Sequence, residues 1–218
     1  MKKIFMAALL LMTMIFTGCG GGNEKTPAPE KSEEKTSAEQ KPASSDKKIL
    51  VVYFSRTGEE YNVGKITTGN TAIVADFIAQ KVGADKFEIK PAKPYPDEYE
   101  PCTEIAKKEL EENARPALAN NIDNLAQYDI IFCGYPVWWS NLPMIMYTFL
   151  ESNDFSGKTI IPFCTSAGTY MTGKEAQIPE HAKGATVRDG IGIVGKRCQD
   201  EPEAVKKDVE AWLKTLGY

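Results

Sequence analysis

The sequence predicts a doubly wound α/β domain, in which a five-stranded parallel sheet lies between two layers of helices (three-layer α/β/α). The first observation is that short, continuous apolar runs alternate with segments whose apolar residues recur at helical spacing. The second is that the runs are apolar at consecutive positions, as strands are when helices cover both faces of a sheet. Parallel strands need crossover connections, and the helical segments supply them.

The strands and helices alternate along the chain, except that no helix is predicted between the fourth and fifth strands. The predicted strands are 49–54, 86–90, 128–134, 159–164 and 186–194, and the predicted helices are 71–82, 102–114, 143–150 and 203–216. The last helix is amphipathic, because Val205, Val209 and Leu213 recur on one face. Gly190 and Gly192 weaken the last strand. In such a sheet, ligands bind beyond the carboxyl ends of the strands, where the strand order reverses.

The N-terminus is predicted to be a targeting segment. Two lysines precede the apolar run 4–16, which is too short to cross a bilayer and is typical of a secretory signal. The run ends in Phe16-Thr17-Gly18-Cys19, which resembles a bacterial lipobox. We therefore expect residues 1–18 to be a lipoprotein signal peptide and Cys19 to be the lipidation site. The alternative is a signal cut by ordinary signal peptidase, with Cys19 incidental.

Residues 19–47 are predicted to link the lipidated cysteine to the folded domain. From position 20 onward this segment contains no aromatic and no large aliphatic residue, so it cannot bury enough apolar surface to fold. We expect a flexible tether. The order of anchor, tether and domain (48–218) places the protein at the cell envelope, exported from the cytoplasm and lipid-anchored to a membrane.

Composition excludes several classes of function. The formal net charge of −4 argues against a nucleic-acid partner, which would need a clustered basic face. The only histidine, His181, stands among five cysteines without any CxxC or HExxH spacing, so we expect no metal site and no Ser-His-Asp hydrolase. For the four cysteines other than Cys19, two states remain open. Cys133 could pair with Cys164 or Cys102 with Cys198 in disulfides, or the thiols could be free and buried.

The loop after the first strand predicts an anion site. Hydroxyls, glycines and the free amides of a helix N-terminus favour a phosphate, although a plain capped turn would have the same composition. There is no Walker motif and no GxGxxG. The candidate residues are Ser55, Arg56, Thr57, Gly58, Gly69, Asn70, Thr71 and Ala72.

Two further loops predict contacts with a flat ligand. Adjacent tryptophans after the third strand cannot both point into a core, so at least one should cover a planar partner; the alternative is one ring packed beneath the loop and one on a helix. The fourth strand leads into small residues and hydroxyls that let a ligand approach the backbone. The candidates are Pro136, Val137, Trp138 and Trp139 in the first of these loops, and Thr165, Ser166, Ala167 and Gly168 in the second.

The domain resembles the flavodoxins, and in particular flavodoxin-like proteins whose third-strand loop reads Tyr-Pro-hydrophobic-Trp-Trp. The matching segments are 53–58, 69–71, 134–139 and 165–168, in that order, and the resemblance covers 48–218. It implies the strand order 2-1-3-4-5 and noncovalent FMN. The first loop would hold the phosphate, the tryptophan loop would line the isoalloxazine with Trp138 or Trp139 stacking, and residues 165–168 would meet its other edge. Arg56 would either lend charge to the phosphate or lie in solvent.

One departure from the flavodoxin pattern is an insertion. The compact phosphate loop of flavodoxins is interrupted here by residues 59–69, or 58–68 if Gly69 is the equivalent glycine. The inserted segment contains Tyr61 and Asn62. It would be either a flap over the flavin or a substrate, or a surface excursion without function.

The resemblance implies an FMN-binding redox protein that transfers electrons at the envelope, as a carrier or a small flavin oxidoreductase. Its electron donor and acceptor would be a quinone, a nicotinamide or a redox protein. The alternative is a nonenzymatic, lipid-anchored flavin-binding or scaffold module. No catalytic side chain is assigned, because the redox chemistry belongs to the cofactor, and His181 is expected in a solvated loop.

Overall fold

The computed structural model describes residues 47–168 and 171–218. The signal peptide, the lipidation site Cys19 and nearly all of the tether lie outside the described residues. None of the helices formed by the described residues has the length and apolar character that a bilayer crossing requires.

The described residues form eight strands, six helices and two 3₁₀ turns. The strands are β1 (Ile49–Phe54), β2 (Gly58–Glu60), β3 (Gly64–Ile66), β4 (Asp85–Ile89), β5 (Ile130–Pro136), β6 (Thr159–Ser166), β7 (Thr186–Val187) and β8 (Ile191–Val194). The helices are α1 (Asn70–Val82), α2 (Tyr99–Glu111), α3 (Met144–Glu151), α4 (Ile178–His181), α5 (Gly195–Asp200) and α6 (Pro202–Thr215). The 3₁₀ turns are Leu125–Gln127 and Lys174–Gln177.

The main sheet is parallel and has the order β4-β1-β5-β6-β7, with β8 also paired to β6. Since β7 and β8 are two parts of the predicted fifth strand, this is the order 2-1-3-4-5, and the predicted fold class is confirmed. The central strand β1 is flanked on both sides: Val51 pairs with Lys86 of β4 and with Phe132 of β5. The order reverses beside β1, so the ends of β1 and β5 open onto the crevice that binds ligands in such folds.

Both faces of the sheet are buried, which explains the continuous apolar runs in its strands. Alternate residues of β1 belong to different cores: Val52 lies with Ile145 and Phe149 of α3, and Val51 lies with Val74 of α1 and Val209 of α6. Each strand therefore contributes apolar side chains to two helix layers.

The predicted fifth strand is not continuous, which corrects the range 186–194. β7 and β8 are separated at Arg188–Gly190, and both pair with β6. The gap lies beside Pro162 of β6, which has no N–H to donate to a ladder. A Cβ on Gly190 would lie 2.3 Å from the carbonyl oxygen of Pro162. The strand breaks where its neighbour cannot sustain pairing.

Several predicted boundaries also move. The helix predicted to start at Cys102 begins at Tyr99, with Pro101 in its first turn, where its missing N–H is not needed. The strand predicted from Tyr128 starts at Ile130, because the N–H groups of Asp129 and Ile130 both reach the carbonyl of Lys48. The inserted segment forms the antiparallel hairpin β2–β3, which was not predicted.

Candidate functional site

The candidate site is a cavity of about 530 Å³ at the carboxyl ends of β1, β5 and β6. Its size lies in the range of small-molecule sites, roughly 300–1,000 Å³. The loops after these three strands all line it, so the structure brings together the three loops singled out from the sequence. Residues of those loops in the lining are Ser55, Arg56, Asn70, Thr71, Pro136, Val137, Trp138, Trp139, Thr165, Ser166 and Ala167.

The other sequence candidates lie outside this lining: Thr57, Gly58, Gly69, Ala72 and Gly168. Gly58 has another role, because a Cβ there would lie 2.4 Å from the carbonyl oxygen of Asp97. Gly69 is needed for close approach beneath the site: a Cβ would lie 2.1 Å from Ser55 Oγ and 2.5 Å from the Arg56 carbonyl oxygen.

One end of the cavity is the N-terminus of α1. Gly69 is the N-cap residue and makes no side-chain cap hydrogen bond, so the first amides of the helix are not all satisfied locally. Ser55 Oγ accepts a hydrogen bond from the Ala72 N–H at 3.1 Å, which fixes the β1 loop to the helix. The exposed partial positive charge of a helix N-terminus favours an anion here. We call this region the anion end.

Side chains from distant segments hold the anion end in place. The hydroxyls of Thr71 and Thr165 are hydrogen-bonded at 2.8 Å and both are buried, so α1 is tied to the end of β6. Gln199 of α5 donates to Asn70 Oδ1 at 2.8 Å and to the Thr68 carbonyl at 2.9 Å. The donor groups of this end are therefore preorganised before any ligand arrives.

The Arg56 side chain does not lie in solvent, and its charge is already paired. Its side chain is only 8% exposed, and Nη1 lies 2.8 Å from the Glu60 carboxylate. Nη1 also donates to the Glu59 carbonyl, and Nη2 donates to those of Pro96 and Asp97. Arg56 lines the cavity, but its guanidinium is used to fasten the hairpin β2–β3 to the segment before α2. Sequence could not reveal these partners, because two of them are some forty residues away.

The inserted segment is a wall of the site. Glu60, Tyr61, Asn62 and Val63 line the cavity, so the inserted segment borders the candidate site. The hairpin is fastened at several points besides Arg56: the Glu59 N–H donates to the Asp97 carbonyl at 2.7 Å, and Glu59 Oε2 accepts from the Tyr99 N–H at 3.2 Å. Burial raises the pKa of Glu60, and the adjacent Arg56 opposes that shift.

The two tryptophans point in different directions. Trp138 is half-buried and packs edge-on against Phe54 and Tyr95, with ring centroids 5.4 and 4.9 Å away. Trp139 is 53% exposed and donates from Nε1 to the Thr103 carbonyl of α2 at 3.0 Å. This arrangement corresponds to the alternative considered from the sequence, in which one ring packs beneath the loop and the other packs on a helix. Both rings nevertheless line the cavity, so they remain candidates for contact with a planar ligand.

The turn that carries Trp139 is strained. Trp139 and Ser140 both have left-handed backbones, with φ of 50° and 56°. Backbone hydrogen bonds between Trp138 and Asn141, at 2.9 and 3.0 Å, close the turn around them. A bulky residue in this conformation costs about 1–3 kcal/mol, and such strain is concentrated at functional sites.

Sequence reasoning missed the part of the lining contributed by α2 and by the start of α5. These residues are Tyr99, Cys102, Thr103 and Ala106, together with Val194, Gly195 and Lys196. Pro101 was a partial signal for α2, since a proline in the first turn moves the expected start ahead of Cys102. Nothing comparable marks α5, which begins directly after β8.

The four cysteines in the described part of the chain are free and buried, which settles the open question of their pairing there. Burial raises the pKa of the Cys102 thiol to about 11 and that of the Cys133 thiol to about 12. Both are therefore protonated near neutral pH, and Cys102 is not a thiolate nucleophile in the cavity. His181 lies away from the cavity lining, where its Nδ1 is 2.8 Å from Glu151.

Comparison with known proteins agrees with this architecture. The sequence model of the flavodoxin family matches residues 48–215. A structure from Bacteroides uniformis, assigned as a flavoprotein, is 32% identical with a TM-score of 0.61, over 77% of this chain and 98% of that one. One from Bacteroides eggerthii, also assigned as a flavoprotein, is 28% identical with a TM-score of 0.59, over 78% and 98%.

A more distant structure is the flavoprotein of Lactobacillus acidophilus in complex with FMN, which is 24% identical with a TM-score of 0.53, over 71% of this chain and 97% of that one. Its likeness concerns the fold. None of the curated proteins compared with the chain matches it. The family match spans the sheet, its helices and all three loops of the cavity, and the chain therefore belongs to the flavodoxin family.

Proposed function

We propose that this protein binds FMN in the cavity described above and transfers electrons at the cell envelope, as a carrier or a small flavin oxidoreductase. The observation that carries the proposal is that one cavity is lined both by the N-terminus of α1 and by the tryptophan loop. A phosphate and a flat ring joined by a flexible chain suit these two parts of the lining. The flavodoxin family and the FMN complex of the Lactobacillus acidophilus flavoprotein support this choice of ligand.

At the anion end, Ser55, Asn70 and Thr71 would hold the phosphate with neutral donors and with the amides of the first turn of α1. Arg56 would not contribute a direct contact, since its charge is neutralised by Glu60. Lys196 lines the same cavity. It was not predicted from the sequence, and we add it to the residues that would contact the phosphate.

In the tryptophan loop, Trp139 would offer a ring face, and Pro136 and Val137 would line the edge of the flavin. Residues 165–167 would leave room for the ring near their backbone, because Ala167 is small and Ser166 Oγ is hydrogen-bonded within its own turn, to the Gly168 N–H. When bound, FMN supplies one- and two-electron transfer, and the protein tunes it through contacts and electrostatics. The chain's own contribution is therefore to bind, orient and shield the ring.

The site supports redox chemistry more than acid–base or nucleophilic catalysis. The thiol in the lining, Cys102, has a pKa of about 11, and the carboxylate of Glu60 is paired with Arg56. Neither group is poised as a nucleophile or a general base near neutral pH.

The test of FMN binding is to produce the full chain in a bacterial host, purify it in detergent and record its spectrum. A yellow protein that bleaches with dithionite and recovers in air is expected. A colourless protein that leaves the spectrum of added FMN unchanged would refute the proposal, and would favour a scaffold of flavodoxin fold instead. Consumption of NAD(P)H with a quinone acceptor then separates an oxidoreductase from a carrier.

The location at the envelope is part of the proposal and rests on the N-terminal sequence. Cys19 would carry the lipid, and the segment 20–47 would let the domain reach partners away from the membrane surface. In cells fed a labelled fatty acid, we expect label on the wild-type protein and none on Cys19→Ser, which should also leave the membrane fraction. Equal labelling of both would exclude this anchor.

A further inference from the structure

The lining of the cavity includes three aromatic rings, Tyr61, Tyr99 and Trp139, which we call the aromatic rim. They come from the hairpin β2–β3, from α2 and from the loop after β5. Tyr61 and Tyr99 lie with ring centroids 5.9 Å apart at 33°, and Trp139 is held to α2 through Thr103. Two of these three elements, the hairpin and α2, are not among the loops that the proposed FMN contacts require.

Exposure sets the aromatic rim apart from the rest of the surface. In the described part of the chain, the large hydrophobic side chains that stand out as exposed are Tyr61, at 56%, and Trp139, at 53%. Both line this one cavity. Scattered exposed apolar residues are ordinary, whereas apolar surface gathered around a cavity marks a binding site.

The exposed rings are also held in place. Trp139 has a left-handed backbone, and so does Asn62 beside Tyr61, with φ of 57°. The base of the hairpin is fastened by the buried guanidinium of Arg56 and by the Glu59–Asp97 hydrogen bond. Rings that are presented on fixed backbone lose little freedom when a ligand binds, so the aromatic rim is preorganised.

The cations and the indole N–H beside the aromatic rim already have partners, which limits the charge a ligand can carry. The Arg56 cation is paired with Glu60, and the Trp139 N–H is bonded to Thr103. Lys107 lies 5.7 Å from the centre of the Trp139 ring and is paired with Glu111. This region offers ring faces and the phenol hydroxyls of Tyr61 and Tyr99, whereas Arg56 and Lys107 are already paired with carboxylates, so a diphosphate would find little free positive charge on them.

We infer that the aromatic rim is a second subsite, which binds an uncharged planar aromatic molecule next to the ring of the bound cofactor. The inference rests on the proposed function and narrows it: of the partners considered for electron exchange, a flat apolar molecule fits the rim better than a dinucleotide or a protein. Tyr61 is a specificity-determining residue of this subsite through its ring face.

The probe is 2-methyl-1,4-naphthoquinone, titrated into the oxidised, FMN-loaded full chain in detergent while the visible flavin spectrum is recorded. A saturable spectral change is expected. Tyr61→Ala should weaken quinone binding by about fivefold or more, with FMN affinity changed by less than about twofold. Tyr61→Phe should bind as the wild type does, because the ring is kept.

Lys65→Ala is the matched control, since Lys65 is exposed on β3 of the same hairpin and outside the lining. It should leave both affinities unchanged. Tyr61 is exposed at the hairpin tip, so its substitution should leave the unfolding temperature unchanged.

Three results would overturn the inference alone: a yellow protein whose spectrum shows no saturable response to the quinone, equal loss of FMN and quinone affinity in Tyr61→Ala, or tighter binding of 1,2-naphthoquinone-4-sulfonate or NADH than of the uncharged probe. A protein that does not take up FMN would overturn the proposed function, and this inference with it.

Discussion

At the anion end of the cavity the loop after β1 and the N-cap residue of α1 approach closely, whereas at the aromatic rim two rings, those of Tyr61 and Trp139, stand out into solvent. Gly69 permits the first arrangement, since even one Cβ would overlap Ser55. Left-handed backbone accompanies the second, at Trp139 and Ser140 and at Asn62 beside Tyr61. One end is defined by close packing and the other by strained backbone, so the same kind of substitution should act differently at each.

The largest expected difference is between the two adjacent tryptophans. Trp138→Ala should lower the free energy of unfolding by about 3 kcal/mol, because the ring packs against Phe54 and Tyr95. Trp139→Ala should change it by less than about 0.5 kcal/mol but weaken FMN binding by about 1–3 kcal/mol. Urea unfolding of the apoprotein and FMN titration measure the two quantities. Equal effects of both variants on the free energy of unfolding would show that the two rings do not have separate roles in stability and in FMN binding.

Close packing at the anion end makes Gly69→Ala the next largest effect. The added methyl group would overlap Ser55 Oγ and the Arg56 carbonyl, so we expect a loss of about 2–3 kcal/mol in unfolding free energy and a marked loss of FMN affinity. The control is Gly168→Ala, since a Cβ at Gly168 meets nothing within 4 Å. If Gly69→Ala binds FMN with the affinity of the wild type, the close approach of residue 69 to Ser55 and Arg56 is not required for the site.

Arg56→Met tests whether the hairpin depends on the buried cation. It leaves Glu60 and three carbonyl oxygens without their partner, so we expect a loss of about 2 kcal/mol at neutral pH, measured by urea unfolding. Glu60 already has a raised pKa in the folded protein, so its contribution to stability is present below the ordinary value of 4.5 and is lost as the pH rises.

Removing Arg56 raises the pKa of Glu60 further. The difference between variant and wild type should therefore be smaller at about pH 5 than at about pH 7. Adding Glu60→Gln to Arg56→Met should recover part of the loss at neutral pH. A difference that does not change with pH would show that the carboxylate is not involved.

The smallest effect is expected from the hydroxyl pair that joins α1 to β6. Thr71→Val or Thr165→Val alone should lower the free energy of unfolding by about 1 kcal/mol, because the remaining buried hydroxyl loses its partner. The double variant should lose less than the sum, since no hydroxyl is then left unpaired. Additive losses in a double-mutant cycle would show that the two hydroxyls do not interact.

The sequence predicted the sheet well because strands buried on both faces leave continuous apolar runs, and helices leave a period that differs from them. The prediction failed at the fifth strand because the break in that strand is caused by its neighbour. Pro162 lies on β6, and it interrupts strand pairing at residues 188–190. A residue's own neighbours in sequence do not show which strand it will face.

The lining of the cavity was predicted in its loops and missed in its helices. Adjacent tryptophans after a buried strand were not expected both to point inward, and Trp138 and Trp139 do point in different directions. The role of Arg56 could not be predicted, since its acceptors are mostly backbone carbonyls, which every residue has. The contribution of α2 depends on how far the helix extends and on which face meets the insertion, and both are set by tertiary packing.

Because of the base of the hairpin β2–β3, the geometry of the anion end does not depend on the length of the insertion. The chain leaves at Arg56 and returns at Gly69, and these two residues are in direct contact. The entropic cost of closing a loop grows only slowly with its length. Segments of other lengths could therefore be grafted between these points, and each doubling of the length should change the free energy of unfolding by less than about 1 kcal/mol. The insertion point is therefore a place where ligand preference can be re-engineered in one contiguous piece, without redesign of the sheet.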